Sequence, residues 1–307
     1  MTLVGGSYTR FVHLLACALS SSPWPLYALR PLSASGTALR RRHLTCHTCK
    51  QVKFLSVPHI RNPYRVDASH QRFATVLNKL HLWNMTRFDT VIFVDIDLLL
   101  LRPPDELFDL GCTFAAASER LGQPLAVNSG MLVVKPSARV FTKLWDSVGR
   151  FPSVDSSDQG FIQAYFRSYL ERETRCSLPH QYNLLRRVES SNPNLFRRMA
   201  STNELVGLHF VGAKPWDVDS DICVAREYRQ MFPLALRMWQ QHAMKCERNC
   251  SVCAGSSPAP PPKPHCADWC ERHENRKRNP RAFCGECSCS RCGYCTGHAA
   301  ISGISRD

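Results

Sequence analysis

Nowhere in the chain do about 18 apolar residues run without a break, so no membrane-crossing helix is expected. The opening stretch, MTLVGGSYTRFVHLLACALSSS, lacks a basic n-region, and His13 interrupts its apolar part. It reads as a strand followed by a helix, not as a signal peptide. Acidic residues are scarce: 25 Asp and Glu stand against 39 Lys and Arg, a formal charge of +14. The basic groups are scattered in short runs (Arg40 to Arg42, Arg186-Arg187, Arg197-Arg198) without the interleaved aromatics of a single-strand binder. Nucleic acid is therefore not an expected partner, and a solvated basic surface that also attracts anionic small molecules is. Cysteine is sparse through most of the length: six of the 16 lie in the first 245 residues and ten between Cys246 and Cys295. That step marks a domain boundary.

At 307 residues the chain can hold one large domain and a smaller appendage, and 44% hydrophobic against 21% charged residues suits a packed core. Residues 1–245 alternate between strand-like and helix-like patterns. TLVGG, WPLYALRP and VKFLSVPHI read as strands; YTRFVHLLACALSSS and SGTALRRRHL read as helices between them. SHQRFATVLNKLHLWNM reads as a helix with Phe73, Val76, Leu77, Leu80 and Trp83 on its apolar side, leading into VIFVD. TFAAAS and SGMLVVKP read as strands, SARVFTKLWDSVG and DQGFIQAYFRSYL as helices, ELVGLHFVG as a last strand, and REYRQMFPLALRMWQQHAMK as a terminal helix broken at Pro233. Strands alternating with helices predict an α/β domain with a mostly parallel central sheet. Residues 246–265 form a Cys/Pro-rich linker and 266–307 a Cys-rich tail with few aliphatic residues, which needs cross-links to hold a fold.

Within VIFVDIDLLLLRPPDELF, the run VIFV is apolar at every position, as a central parallel strand buried on both faces should be. Asp95 and Asp97 stand where it ends, and in open α/β sheets ligands bind beyond the carboxyl ends of strands. Two carboxylates one residue apart offer hard oxygen ligands and concentrated negative charge to a divalent cation. A helix cap or turn is the plainer reading of such a pair. Phosphatases of the haloacid dehalogenase type end a strand in Asp-x-Asp as well, but follow it with Gly-Thr near the start of the domain. Here Leu98 and Leu99 follow.

Four motifs in order, LNKLHLWNMTRFDTVIFVDIDLLLLRPPDELFD, VNSGMLVVKPS, SSDQGFIQAYF and LHFVGAKPWD, resemble glycosyltransferase family 8, the family of glycogenin and galactinol synthase, over nearly all of residues 2 to 217. The resemblance implies a nucleotide-diphospho-sugar transferase fold of the Rossmann-like GT-A type. It implies a UDP-sugar donor bound at the strand ends and Mn²⁺ on Asp95, Asp97 and His209, with Ile96 between the carboxylates. On its own, His209 would read as a core histidine; the adjoining Gly-x-Lys-Pro-Trp makes it a ligand. Gly212 and Lys214 match the loop that closes on the diphosphate, and Lys79 the helix lysine that faces phosphates and sugar, a solvated lysine being the plainer alternative. Thr2, Leu3 and Tyr8 match the strand and loop around uracil, Tyr8 as the stacking ring. That loop is one residue shorter than the family's and only Met1 precedes Thr2, as expected of a chain trimmed at its start. Asn128, Ser129 and Gly130 match the segment beside the donor sugar. Asp158 and Gln159 match the pair lining the sugar and acceptor pocket, with a helix cap as the alternative for Asp158.

The implied reaction is a retaining hexosyl transfer that forms an α-linkage, with Asp158, Gln159 and Lys214 as the residues nearest the chemistry. The implied partners are the UDP-sugar, a carbohydrate, polyol or glycoprotein acceptor, and a second copy of the chain in a homodimer. A catalytically weak sugar-binding member that serves as a platform for the tail is the competing reading. In the tail, CxxxC and CxxCxCxxCxxC spacings indicate zinc–thiolate sites, with His265, His273 and His298 as further ligands, or disulfides. Compartment decides between them. Cytoplasm is the expectation for the chain as it stands, and the Golgi lumen the alternative if a leader precedes it. Asn84-Met-Thr and Asn249-Cys-Ser are glycosylation sequons.

Overall fold

The computed structural model describes residues 1–3, 11–32, 50–64 and 68–250. Tyr8, the helix expected over SGTALRRRHL, and the linker and tail beyond Cys250 lie outside the described residues. The described chain divides into two compact units, the first holding Met1–Gly212 and the helix after Met231, the second Ala213–Gln230.

In the first unit β1 (Thr2–Leu3), β2 (Leu26–Pro31) and β3 (Val52–Val57) pair in parallel, with Thr2 opposite Ala28 and Leu26 opposite Val52. Helix α1 (Val12–Ala18) lies between β1 and β2 in sequence and buries Val12, Leu14 and Leu15. This is the βαβ arrangement expected from the alternating pattern. Met1 extends the ladder to β4 (Val91–Val94): its carbonyl accepts from the Val94 N–H at 2.8 Å and its nitrogen donates to the Ile92 carbonyl. Bonding of one residue to two partners that flank a third is the slanted pattern of a parallel pair.

On the other side of β4 the direction changes. The eight-residue strand β7 (Val127–Val134) runs antiparallel to it, Val91 opposite Val134 and Val94 opposite Met131. The preceding strand β6 (Phe114–Ser118) folds back onto β7 as a hairpin-like antiparallel pair with a register shift at Ala116/Ala117. A connection of this length reverses a chain but cannot carry the crossover helix a parallel pair needs. The α/β class is as expected, and the sheet around β4 is mixed. β4 is hydrogen-bonded on both sides and all four of its residues are buried, which accounts for the unbroken VIFV.

Leu98–Leu100 form β5, antiparallel to β10 (Gly207–His209), which pairs in parallel with β9 (Leu184–Leu185). β5 is buried at each position, so the chain does re-enter the core directly after Asp97.

The helix expected before β4 is present over Ala68–Asn84, but with the tighter three-residue turn. Its apolar row follows that period: Leu77, Leu80 and Trp83 are three apart and fully buried. Asn78 and His81, on the next row, tie it to the chain after β3, Asn78 accepting from the Ile60 N–H at 2.7 Å and His81 bonding the Pro58 carbonyl at 2.8 Å. Lys79 is thereby held inside the molecule. Two α-helices, α2 (Ala138–Ser147) and α3 (Asp158–Arg172), pack on the core through Leu144 and through Phe161, Ile162 and Phe166. Short helices α4 (Val188–Ser191) and α5 (Pro193–Ser201) precede β10. The second unit holds a turn at Pro215–Asp217 and most of α6 (Ile222–Met231). Helix α7 (Pro233–Cys250) begins at the expected proline break and runs past the boundary expected at 245. Its first two free N–H groups, of Leu234 and Ala235, donate to the Glu189 carboxylate at 2.7 and 2.8 Å, a cap supplied from another element.

Candidate active site

Three strand ends and one helix start meet at one place. Asp95 follows β4, with its N–H on the Gly130 carbonyl at 2.8 Å; Asp97 precedes β5; His209 closes β10. The antiparallel register sets Leu98 opposite His209, which brings Asp97 beside the imidazole: Asp97 Oδ1 lies 3.3 Å from His209 Nε2. A donor atom from each of Asp95, Asp97 and His209 lies within 4.8 Å of the other two, as a metal's ligand shell requires.

The other ring nitrogen of His209 is already engaged. Nδ1 is 2.9 Å from the Asn183 Oδ1 and 3.2 Å from the Asn128 Oδ1, all in a buried setting. Both neighbours are acceptors, so Nδ1 carries the proton and Nε2 presents its lone pair toward the carboxylates, the tautomer a metal ligand needs. The donor set therefore fits a divalent transition ion. Gly130 faces the same ring: a Cβ there would overlap His209 Cε1 and Nδ1. Only glycine lets β7 lie against the imidazole.

Behind the carboxylates stands Lys79, 4% exposed. Its Nζ lies 2.9 Å from Asp95 Oδ2, 3.0 Å from Asp158 Oδ2 and 3.1 Å from Ser129 Oγ. The reading of Lys79 as a solvated lysine is thus ruled out by its burial. Burial works against its charge, but Asp158 and Asp95 outweigh it and hold the amine above its ordinary value. Burial pushes the Asp95 carboxyl up to about 6; Lys79 and His209 oppose that, and Asp97 and Asp158 reinforce it.

Asp158 is the first residue of α3 and 3% exposed. The cap of that helix is its neighbour: Ser157 Oγ accepts from the Gln159 N–H at 3.1 Å. Asp155 in turn accepts from the N–H groups of Ser157 and Gly160 at 3.0 and 3.1 Å. The capping work is done without Asp158, whose carboxylate is turned to Lys79. Gln159 reaches the same wall, its Oε1 accepting from the Ser129 N–H at 3.3 Å.

The remaining expected residues divide. Thr2 is buried in β1 and Leu3 pairs with Leu29. Ile96 is partly buried against the core between the two carboxylates. Gly212 has φ +84°, a backbone shape that favours glycine, and a Cβ there would stand 3.0 Å from Arg186 Nη2. Lys214 belongs to the second unit, where its carbonyl accepts from the Asp217 N–H at 3.1 Å. The residue that sequence reading missed is Asn183. It stands in a short irregular stretch, HQYN, with no period or local motif to mark it, and only the pairing of β9 with β10 sets it beside His209. Asn183 also lines a cavity of about 280 Å³ together with Ser118, Glu119, Arg120, His180 and Arg187. Glu119 joins that cavity to the site, taking Arg187 at 2.7 Å and the Asn128 amide at 2.5 Å.

Comparison with known proteins yields the class. The chain is 35% identical to human Glycogenin-2 over 142 residues, 46% of this chain and 28% of that one. It is 28% identical to Glycogenin-1 of Caenorhabditis elegans over 198 residues, 62% of this chain and 43% of that one. It is also 28% identical to UDP-glucuronate:xylan alpha-glucuronosyltransferase 2 of Arabidopsis thaliana over 231 residues, 70% of this chain and 33% of that one. The matches thus span less than half the length of these relatives. No family model matches the chain. A solved structure of an active-site mutant of LgtC covers 80% of this chain and 94% of its own at 15% identity and a TM-score of 0.49, a loose likeness that adds no weight. The domain is similar to these curated relatives, which belong to the class of glycosyltransferases. Within that class the resemblance to glycosyltransferase family 8, the glycogenin family, is borne out.

Proposed function

We propose that the domain transfers a hexosyl group from a UDP-sugar to an acceptor hydroxyl with retention of anomeric configuration, using Mn²⁺ held by Asp95, Asp97 and His209. The observation that carries this reading is the convergence of those three ligands with a buried Lys79–Asp158 pair at the strand ends. A divalent cation bound there supplies positive charge against the diphosphate of the leaving UDP. An imidazole with two carboxylates suits Mn²⁺ better than Mg²⁺ or Ca²⁺, which favour all-oxygen shells.

The residues of the chain divide the rest of the work. Lys79 balances the carboxylates of Asp95 and Asp158, so both can be ionised in a buried place. The Asp158 carboxylate is ion-paired with Lys79 Nζ through Oδ2 at 3.0 Å, which fixes its orientation. In this reading it faces the anomeric carbon, as nucleophile or as the base that positions the sugar. Gln159 is held on the Ser129 N–H beside it. The resemblance assigns Lys214 the part of a second positive charge toward the departing UDP.

A panel of UDP-glucose, UDP-galactose, UDP-glucuronate and UDP-N-acetylglucosamine tests the proposal by Mn²⁺-dependent release of UDP. Activity with one of them that disappears in EDTA and in Asp95→Ala/Asp97→Ala is the expected result. Turnover unchanged by EDTA would refute it, and binding without turnover on the whole panel would favour the non-catalytic platform.

A further inference from the structure

The domain holds two bonds that close long loops, Cys17–Cys246 across 229 residues and Cys112–Cys176 across 64. All four cysteines are buried, none above 8% exposed, and no cysteine among the described residues is left free. Cys17 and Cys246 lie where α1 meets α7, packed with Leu14 and Ala243; Cys112 and Cys176 join the chain before β6 to the turn before the short strand β8 (Ser177–Leu178). Disulfides that staple distant parts of a core are formed and kept in oxidising compartments, and are rare in the cytosol. Of the two compartments expected from the sequence, the oxidising one is where such bonds form.

A second feature, from a different part of the molecule, points the same way. Asn84-Met85-Thr86 is a sequon whose Asn and Thr are both exposed. Asn84 is the last residue of the helical stretch Ala68–Asn84; the fully buried Trp83 anchors the chain just before it, and an exposed turn follows through Thr86 and Arg87. Both ends of the sequon are thus open to solvent. The other sequon, Asn249-Cys-Ser, runs out of the described residues.

We propose that the domain matures in an oxidising compartment and that Asn84 carries an N-linked glycan there. In that step the Asn84 amide nitrogen bonds to the anomeric carbon of a lipid-pyrophosphate-linked oligosaccharide, the lipid pyrophosphate leaves, and the nitrogen loses one proton. The proposal is independent of the transfer reaction assigned to the domain.

The test uses full-length protein purified from the cells that make it, with Thr86→Ala and Thr86→Ser expressed alongside. Treatment with an amidase specific for Asn-linked glycans should lower the intact mass of wild type and of Thr86→Ser and convert Asn84 to Asp, and should leave Thr86→Ala unchanged. Alkylation of the denatured, unreduced protein should leave Cys17, Cys112, Cys176 and Cys246 unmodified, and prior reduction should expose all four. A glycan-free Asn84 peptide overturns the modification. Alkylation of the four cysteines without reduction, or zinc released from Cys17, Cys246 and His242, whose Nε2 lies 3.3 Å from Cys246 Sγ, overturns the compartment.

Discussion

The site is decided by single atoms. No sequence motif marks Asn183, yet its Oδ1 fixes the proton of His209 on Nδ1. Asn183→Leu removes that acceptor while roughly keeping the volume. Outer partners of ligating histidines are worth about 10–100-fold in metal affinity. Mn²⁺ titration followed by spin resonance should show a loss in that range in the absence of any sugar, and unchanged affinity would deny Asn183 this role. Asp95 sets the pH response. Its carboxyl, raised to about 6 from 3.8, keeps its proton in the metal-free fold over a window where the unfolded chain has lost it. Protonation therefore favours the metal-free fold at low pH, and that advantage fades as pH rises from near 4 through 6. Metal binding must expel the proton, so affinity should fall about tenfold from pH 7 to pH 5 from this group alone. A flat profile across that interval would mean that Asp95 is not the ligand that titrates.

Elements carry those atoms to their places. β7 can approach β10's histidine because Gly130 has no side chain; in Gly130→Ala the new methyl meets the ring carbon Cε1, Nδ1 and, at 2.8 Å, Asn128 Oδ1. Overpacking of a buried site typically costs about 1–3 kcal/mol. The variant should melt several degrees lower and bind Mn²⁺ more weakly, because relief of the clash turns the ring away from its acceptors. Wild-type affinity with a normal melting temperature would show that β7 moves freely at this point. The helical stretch before β4 shows the same dependence on packing. Its 77/80/83 row was visible as a helix pattern, but its three-residue turn was not, since Leu77, Leu80 and Trp83 fit either period over so short a span.

On the scale of the molecule, much of the plan was legible in the order of residues. The apolar VIFV required a strand bonded on both sides, and the Asp pair after it required a reason to leave the core. The α/β alternation and the break at Pro233 are local properties of the chain, set by side-chain period and by a ring that cannot donate a hydrogen bond. Three things were decided only in space. The antiparallel entry of β7 and β5 beside β4 and β10 depends on strand pairing, which brings Asp97 to His209 across more than a hundred residues. The burial of Lys79 between Asp95 and Asp158 depends on which side of a helix faces the core, and no charge count foretells it. Cys17 and Cys246 meet because α1 and α7 pack together. Sequence determined which chemical groups the protein has and marked the longer strands, because both follow from neighbouring residues, whereas β5 and β9 are defined by their pairing with β10. Tertiary structure decided which groups share a site, because that depends on contacts between segments far apart in the chain.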